Sequence, residues 1–162
     1  MSGGETLEIR RGQRIVNVFE GPWEPSKVFA LSGNSDPTWW YSSAYLELDS
    51  GKSYELTRGS LVPAPLPLEA KRAPEMDGAL PAIIEDVIQG DDDRLLVLLS
   101  GRRYLQNAGV LGGSRLFLSD LSEWTPEDLE EEFVSLLDGR AVFLKDFAEG
   151  ARGGGPESAE RL

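Results

Sequence analysis

An α+β fold, mainly antiparallel β, is what the sequence predicts: two similar β units forming a pseudo-duplicate around a shared core, with one amphipathic helix near the C-terminus. Three observations carry this prediction. A strand-like block Ile15-Val16-Asn17-Val18-Phe19-Glu20-Gly21 is followed by Tyr45 to Leu56 with Ser50-Gly51 at its centre, and the same order recurs as Ile84 to Gly90 and Leu95 to Gln106 with Ser100-Gly101. The blocks are rich in β-branched and alternating apolar residues, which suit a half-buried pleated surface. Thr125 to Asp138 then changes period, with Leu129, Phe133, Leu136 and Leu137 forming one stripe at helical spacing.

The elements follow in order. Residues 1–8 read as a flexible N-terminus, and 9–60 as the first β unit within a single domain over 9–149. Gly21-Pro22-Trp23-Glu24-Pro25 breaks the first strand, because proline lacks a ladder donor and fixes φ. Lys27 to Leu31 reads as a short strand, Ser32 to Pro37 as a turn, and Trp39 through Leu48 as one longer strand. Pro63, Pro65, Pro67, Pro74 and Pro81 mark 61–81 as an extended, poorly paired connector; a proline-rich ligand for a partner's aromatic groove is the alternative.

The second β unit spans 82–118. Ile83, Ile84, Val87 and Ile88 also suit helical spacing, but their β-branched content and the match to the first block favour a strand. Gly90 to Asp93 is a turn, Leu95 to Gln106 a hairpin, and Arg115 to Leu118 a further strand. Within 119–149, Thr125 caps a helix, Pro126 suits its first turn, Asp128 stands where a capping-box acid belongs, and Gly139 stops it. Arg140 to Leu144 adds an edge strand, and 150–162 reads as a disordered tail.

Composition narrows the chemistry. With neither Cys nor His in 162 residues, thiolate sites, imidazole ligands, Ser-His-Asp triads and zinc hydrolysis are excluded. The formal charge of −12 opposes phosphate binding and anionic membranes, so neither nucleic acid nor a membrane is an expected partner. The N-terminus lacks the pattern of a secretory signal, and no apolar run is long enough to span a bilayer, so the expected compartment is cytoplasmic.

Tempting motifs have plainer readings. Asp49-Ser50-Gly51-Lys52-Ser53 looks like the end of a phosphate loop, but Leu46 stands where the first glycine belongs, and the residues beyond read as strand rather than helix. Asp91-Asp92-Asp93 lacks the ligand spacing of a Ca²⁺ loop. Ser26 and Lys27 are adjacent, so on a strand they face apart. The order strand, Ser-Gly-Arg turn, strand over Leu96 to Leu118 resembles the Sm-like RNA-binding barrels, but no residue role is carried over from them. No catalytic residue, metal ligand or cofactor is expected, and no enzyme activity.

Two features point to a binding surface. Pro22 to Ala44 is a long stretch that the second unit replaces with Asp91 to Arg94, and it contains Trp23, Trp39, Trp40 and Tyr41, residue types enriched at binding hot spots. Asp120, Glu123, Glu127, Asp128, Glu130, Glu131, Glu132 and Asp138 follow one another with no base between them. The helix dipole accounts for acids in the first turn but not for Glu130, Glu131 and Glu132. The expected function is a non-enzymatic acidic protein-binding module, of the inhibitor or immunity type, that masks a basic partner through Trp23, Trp39, Trp40, Tyr41, Glu127, Glu130, Glu131 and Glu132. The alternatives are a carbohydrate-binding or carboxylate-dependent hydrolase domain using surface Trp residues, and a structural or assembly subunit; the sequence leaves the oligomeric state open.

Overall fold

Alternating apolar residues build most of the molecule into antiparallel sheet. The computed structural model describes residues 9–21, 24–25, 40–41, 43–91, 93–110 and 113–153. The strands are β1 (Arg14–Glu20), β2 (Glu24–Pro25), β3 (Trp40–Tyr41), β4 (Ala44–Leu48), β5 (Ser53–Leu56), β6 (Leu61–Pro63), β7 (Lys71–Arg72), β8 (Ala82–Gly90), β9 (Leu95–Leu99), β10 (Arg103–Val110), β11 (Gly113–Asp120), β12 (Glu132–Ser135) and β13 (Ala141–Phe143). Two helices, α1 (Pro126–Glu130) and α2 (Leu144–Gly153), lie at the C-terminal end, and 3₁₀ turns cover Pro74–Ala79 and Leu121–Glu123.

The main sheet runs β11-β10-β9-β8-β1-β4-β5-β6. It consists of two meanders, β1-β4-β5-β6 and β8-β9-β10-β11, joined where β1 pairs with the start of β8. The sheet folds over so that the inner faces of both meanders enclose one core, containing Ile15, Val18, Leu46, Leu48, Tyr54, Leu56, Ile84, Val87, Val97, Leu99 and Leu105. Hydrogen bonds hold the fold-over: Leu95 N–H donates to the Arg58 carbonyl at 2.9 Å, and the buried Asn107 amide donates to the Leu56 carbonyl at 2.9 Å. Gly59 fits this approach because a Cβ there would lie 2.7 Å from the Asp93 carbonyl oxygen.

Each meander opens on a bulged strand. The register shifts between Ile15 and Asn17 against β4, and between Ile84 and Asp86 against β9. One extra residue resets the two-residue alternation. Ile15 and Val18 therefore share the inner core, as do Ile84 and Val87. This explains the helix-like spacing of the Ile84 block, which is strand throughout.

Among the described residues, a second core covers the outer face of the second meander. Ile88, Leu96, Leu98 and Tyr104 point outward from it and pack with Leu121, Phe133, Leu144 and Ala148 from the C-terminal segment. That segment adds its own strands, as β12 pairs with the end of β8 and β13 pairs with β12.

Several expectations are corrected. The helix expected over Thr125 to Asp138 ends at Glu130, and Glu132–Ser135 is a strand. The cap itself forms: Thr125 Oγ1 accepts from the Asp128 N–H, and the Asp128 carboxylate accepts from the Thr125 N–H, both at 3.2 Å. The helix stops because the open edge of β8 satisfies the backbone of residues 133–135, while consecutive acids add no support to a longer helix. The single apolar stripe is thereby split: Leu129 and Phe133 join the outer core, and Leu136 and Leu137 pack on the inner one.

The connector over 61–81 is not unpaired either. β6 pairs with β5, β7 pairs with β1, and Met76 is buried from the 3₁₀ turn between β7 and β8. Trp39 through Leu48 is not one strand, because Trp40–Tyr41 pairs with Glu24–Pro25 in a separate small sheet, whereas Ala44–Leu48 lies in the main sheet. Residues 150–153, expected in a disordered tail, close helix α2. The expected strand over Lys27 to Leu31, the turn over Ser32 to Pro37, and residues 1–8 lie outside the described residues. Among the described residues, no helix is long and apolar enough to cross a membrane.

Candidate functional site

On the outer face of the second meander, cross-strand pairing fixes a row of side chains. Tyr104 stands opposite Ser119, and Gln106 opposite Phe117, so all four share one side of the β10–β11 pair. They form the floor of a cleft of about 310 Å³, whose walls are Arg94, Glu123, Trp124 and Asp128. The chain reaches the wall through Asp120, which caps the 3₁₀ turn by accepting from the Ser122 amide and hydroxyl. Those bonds hold the Asp120 carboxyl below its ordinary range.

Trp124 precedes the α1 cap, and both Trp124 and Leu129 pack on the outer core, as a hydrophobic staple does. Its ring meets Tyr104 edge-on at 5.3 Å, with the planes 88° apart. The Arg94 guanidinium lies 5.3 Å from the Trp124 ring and 5.4 Å from the Phe133 ring, while its Nη2 contacts both carboxylate oxygens of Glu131 at 2.7 Å. Glu131 therefore balances Arg94, leaving Glu123 and Asp128 as the net charge of the cleft. Gln106 is only 8 % exposed, lines the cleft, and has no hydrogen-bond partner for its side-chain amide among the described residues.

A second polar constellation lies at the other end of the C-terminal segment. Asp86, just past the β8 bulge, accepts from Arg11 Nη2, Ser135 Oγ and the Val87 N–H, each at 2.8 Å. Arg11 also donates to Asp138 at 2.6 Å, and Arg140 donates to the same carboxylate at 2.9 Å. The Arg11 hydrogen bond pulls the Asp138 carboxyl below its ordinary value, and the same bond, with that to Asp86, raises Arg11. This network ties the residues before β1 to the β12–β13 turn. Every oxygen of Asp86 is engaged within the chain, so its visible task is positioning.

The expected site residues are dispersed. Glu127 and Glu130 are exposed on α1, and Glu132 is exposed on β12. Glu131 faces inward to Arg94 rather than outward to a partner. Trp40 and Tyr41 lie in β3, which runs beside β11, while Trp23 and Trp39 lie outside the described residues. The fourth tryptophan, Trp124, was missed, together with Arg94, Tyr104, Gln106, Phe117 and Ser119. One signal was present: Trp124, Thr125 and Leu129 have the spacing of a staple about a cap. No family model, curated protein or solved structure matches the chain.

Proposed function

We propose that this chain is a non-enzymatic acidic protein-binding module that masks a basic partner, as an inhibitor or immunity-type protein does. The supporting observation is the division of labour among the acids between Asp120 and Asp138. Asp120 and Asp128 cap local turns, and Glu131 and Asp138 bind arginines, whereas Glu123, Glu127, Glu130 and Glu132 are exposed and pair with no described base. Like charges gathered without an internal counterion disfavour the isolated fold slightly and favour association with a cationic surface. In this reading the two meanders are pseudo-duplicate scaffold units, and the C-terminal segment added to one of them is the working face.

The direct test replaces Glu127, Glu130 and Glu132 together by Lys and titrates wild type and variant with oligolysine over a range of salt. Wild type binds with an affinity that falls as salt rises, and the variant loses at least ten-fold. Equal binding by both proteins would remove the proposal. A carbohydrate-binding role is the second reading, favoured by the combination of Trp124, Gln106 and Ser119 in one cleft.

A further inference from the structure

We infer that the cleft between β10–β11 and α1 is an anchor pocket for an arginine side chain of the basic partner. This inference rests on the acidic-module reading and gives it a specific contact.

An amide that opens into a cleft without a partner inside the protein is completed by water or by a ligand, and a ligand that reproduces those hydrogen bonds can take the place of the water. Gln106 is in that position, and its carbonyl oxygen is an acceptor at the floor. Ser119 adds a hydroxyl beside it. The carboxylates of Glu123 and Asp128 stand on the wall, and one Asp128 oxygen remains after Oδ2 has accepted from the Thr125 N–H. Trp124 and Phe117 add aromatic rings to the lining.

Acceptors on floor and wall, two carboxylates with no ion pair among the described residues, and aromatic rings in the lining match the planar, many-donor cation of a guanidinium. An ammonium group shares the charge but not the planar fork, so lysine satisfies fewer of these groups at once. A neutral sugar could stack on the rings but would leave the cleft charge unmatched. The volume of about 310 Å³ stands at the low end of ligand pockets and suits a single side chain. Arg94 shows the same chemistry within the molecule, lying over the Trp124 ring and held by a carboxylate.

The test uses the full chain labelled for NMR and three short capped peptides that are identical except for a central Arg, Lys or citrulline. The Arg peptide shifts the Trp124 indole and Gln106 amide signals and binds about ten-fold tighter than the Lys peptide, while citrulline binds weakest. Gln106→Leu removes the preference for Arg but keeps the salt-dependent binding of oligolysine; Gln106→Glu strengthens binding of the Arg peptide. Should Gln106→Leu fail to fold, Ser119→Ala and Gln106→Glu carry the comparison. Equal Arg and Lys binding, unaffected at Gln106, overturns the pocket but leaves the acidic module standing. Loss of oligolysine binding by wild type overturns both. A neutral disaccharide that moves the same signals when the Arg peptide does not overturns the pocket in favour of a sugar site.

Discussion

In β4 the burial alternates strictly, with Ala44, Leu46 and Leu48 buried and the residues between them partly exposed; in β9 all of Leu95 to Leu99 are buried. Both strands hold corresponding places, each pairing with a bulged strand on one side and closing a hairpin on the other. The difference is the second layer. The C-terminal segment covers the outer face of β8–β10 with Phe133, Leu144 and Ala148, and this added layer also supplies Glu123, Trp124 and Asp128 to the walls of the cleft. The comparison teaches where to look for function: the extra layer creates a wall with polar groups behind it, whereas a core shared by both meanders only holds them together.

The strongest way to break this comparison lies at the first pair beyond each bulge, Leu98 opposite Asp86 and Glu47 opposite Asn17. Leu98→Ala should cost about 3–4 kcal/mol, since it opens a cavity between two layers. Glu47→Ala should cost about 1 kcal/mol or less, because it removes one partly exposed hydrogen bond to Asn17. Urea denaturation measures both, and equal losses would mean that the outer face of β9 is not sealed.

The bulge partners sharpen it further. Asp86→Ala should cost about 2 kcal/mol, because Ser135 Oγ and the Val87 N–H lose their acceptor in a buried setting. Asn17→Ala should cost no more than about 1 kcal/mol. Hydrogen exchange adds a spatial readout: Asp86→Ala should speed exchange in β12 and β13 while leaving β4 and β5 unchanged. Uniform acceleration would contradict a local tie.

The smallest effect concerns pH. The folded Asp138 carboxyl titrates below its unfolded value, so its contribution is present above about pH 4 and is lost as pH falls through the folded value. Asp138→Asn should therefore lower the melting temperature at pH 7 and have less effect near pH 3. A difference that grows on acidification would show that the Arg11 contact is not its source.

Legibility in the sequence followed the range of the interactions. The Thr125 cap and its Asp128 partner were readable because they lie three residues apart and need nothing else. The hairpin turn at Gly51, at φ 91°, was readable for the same reason, and it disposes of the phosphate-loop resemblance. The strand over Glu132–Ser135 was hidden: Phe133, Leu136 and Leu137 do fit a helical stripe, and only the open edge of β8 makes a strand better. Helical spacing in the Ile84 block was likewise a bulged strand in disguise. Glu131 looked like its neighbours until Arg94, distant in sequence, turned it inward.

By itself the sequence determined the antiparallel β character, the principal hairpins, the α1 cap and the excess of acid over base, since these depend on neighbours, periodicity or composition. Only the tertiary structure decided which face of each strand is covered twice, which acids pair with arginines of the same chain, and that Gln106 stands at the floor of a cleft. The physical reason is that burial and hydrogen-bond satisfaction are sums over groups brought together by folding. A polar residue on a strand becomes part of a cleft floor only when a segment from elsewhere in the chain closes beside it.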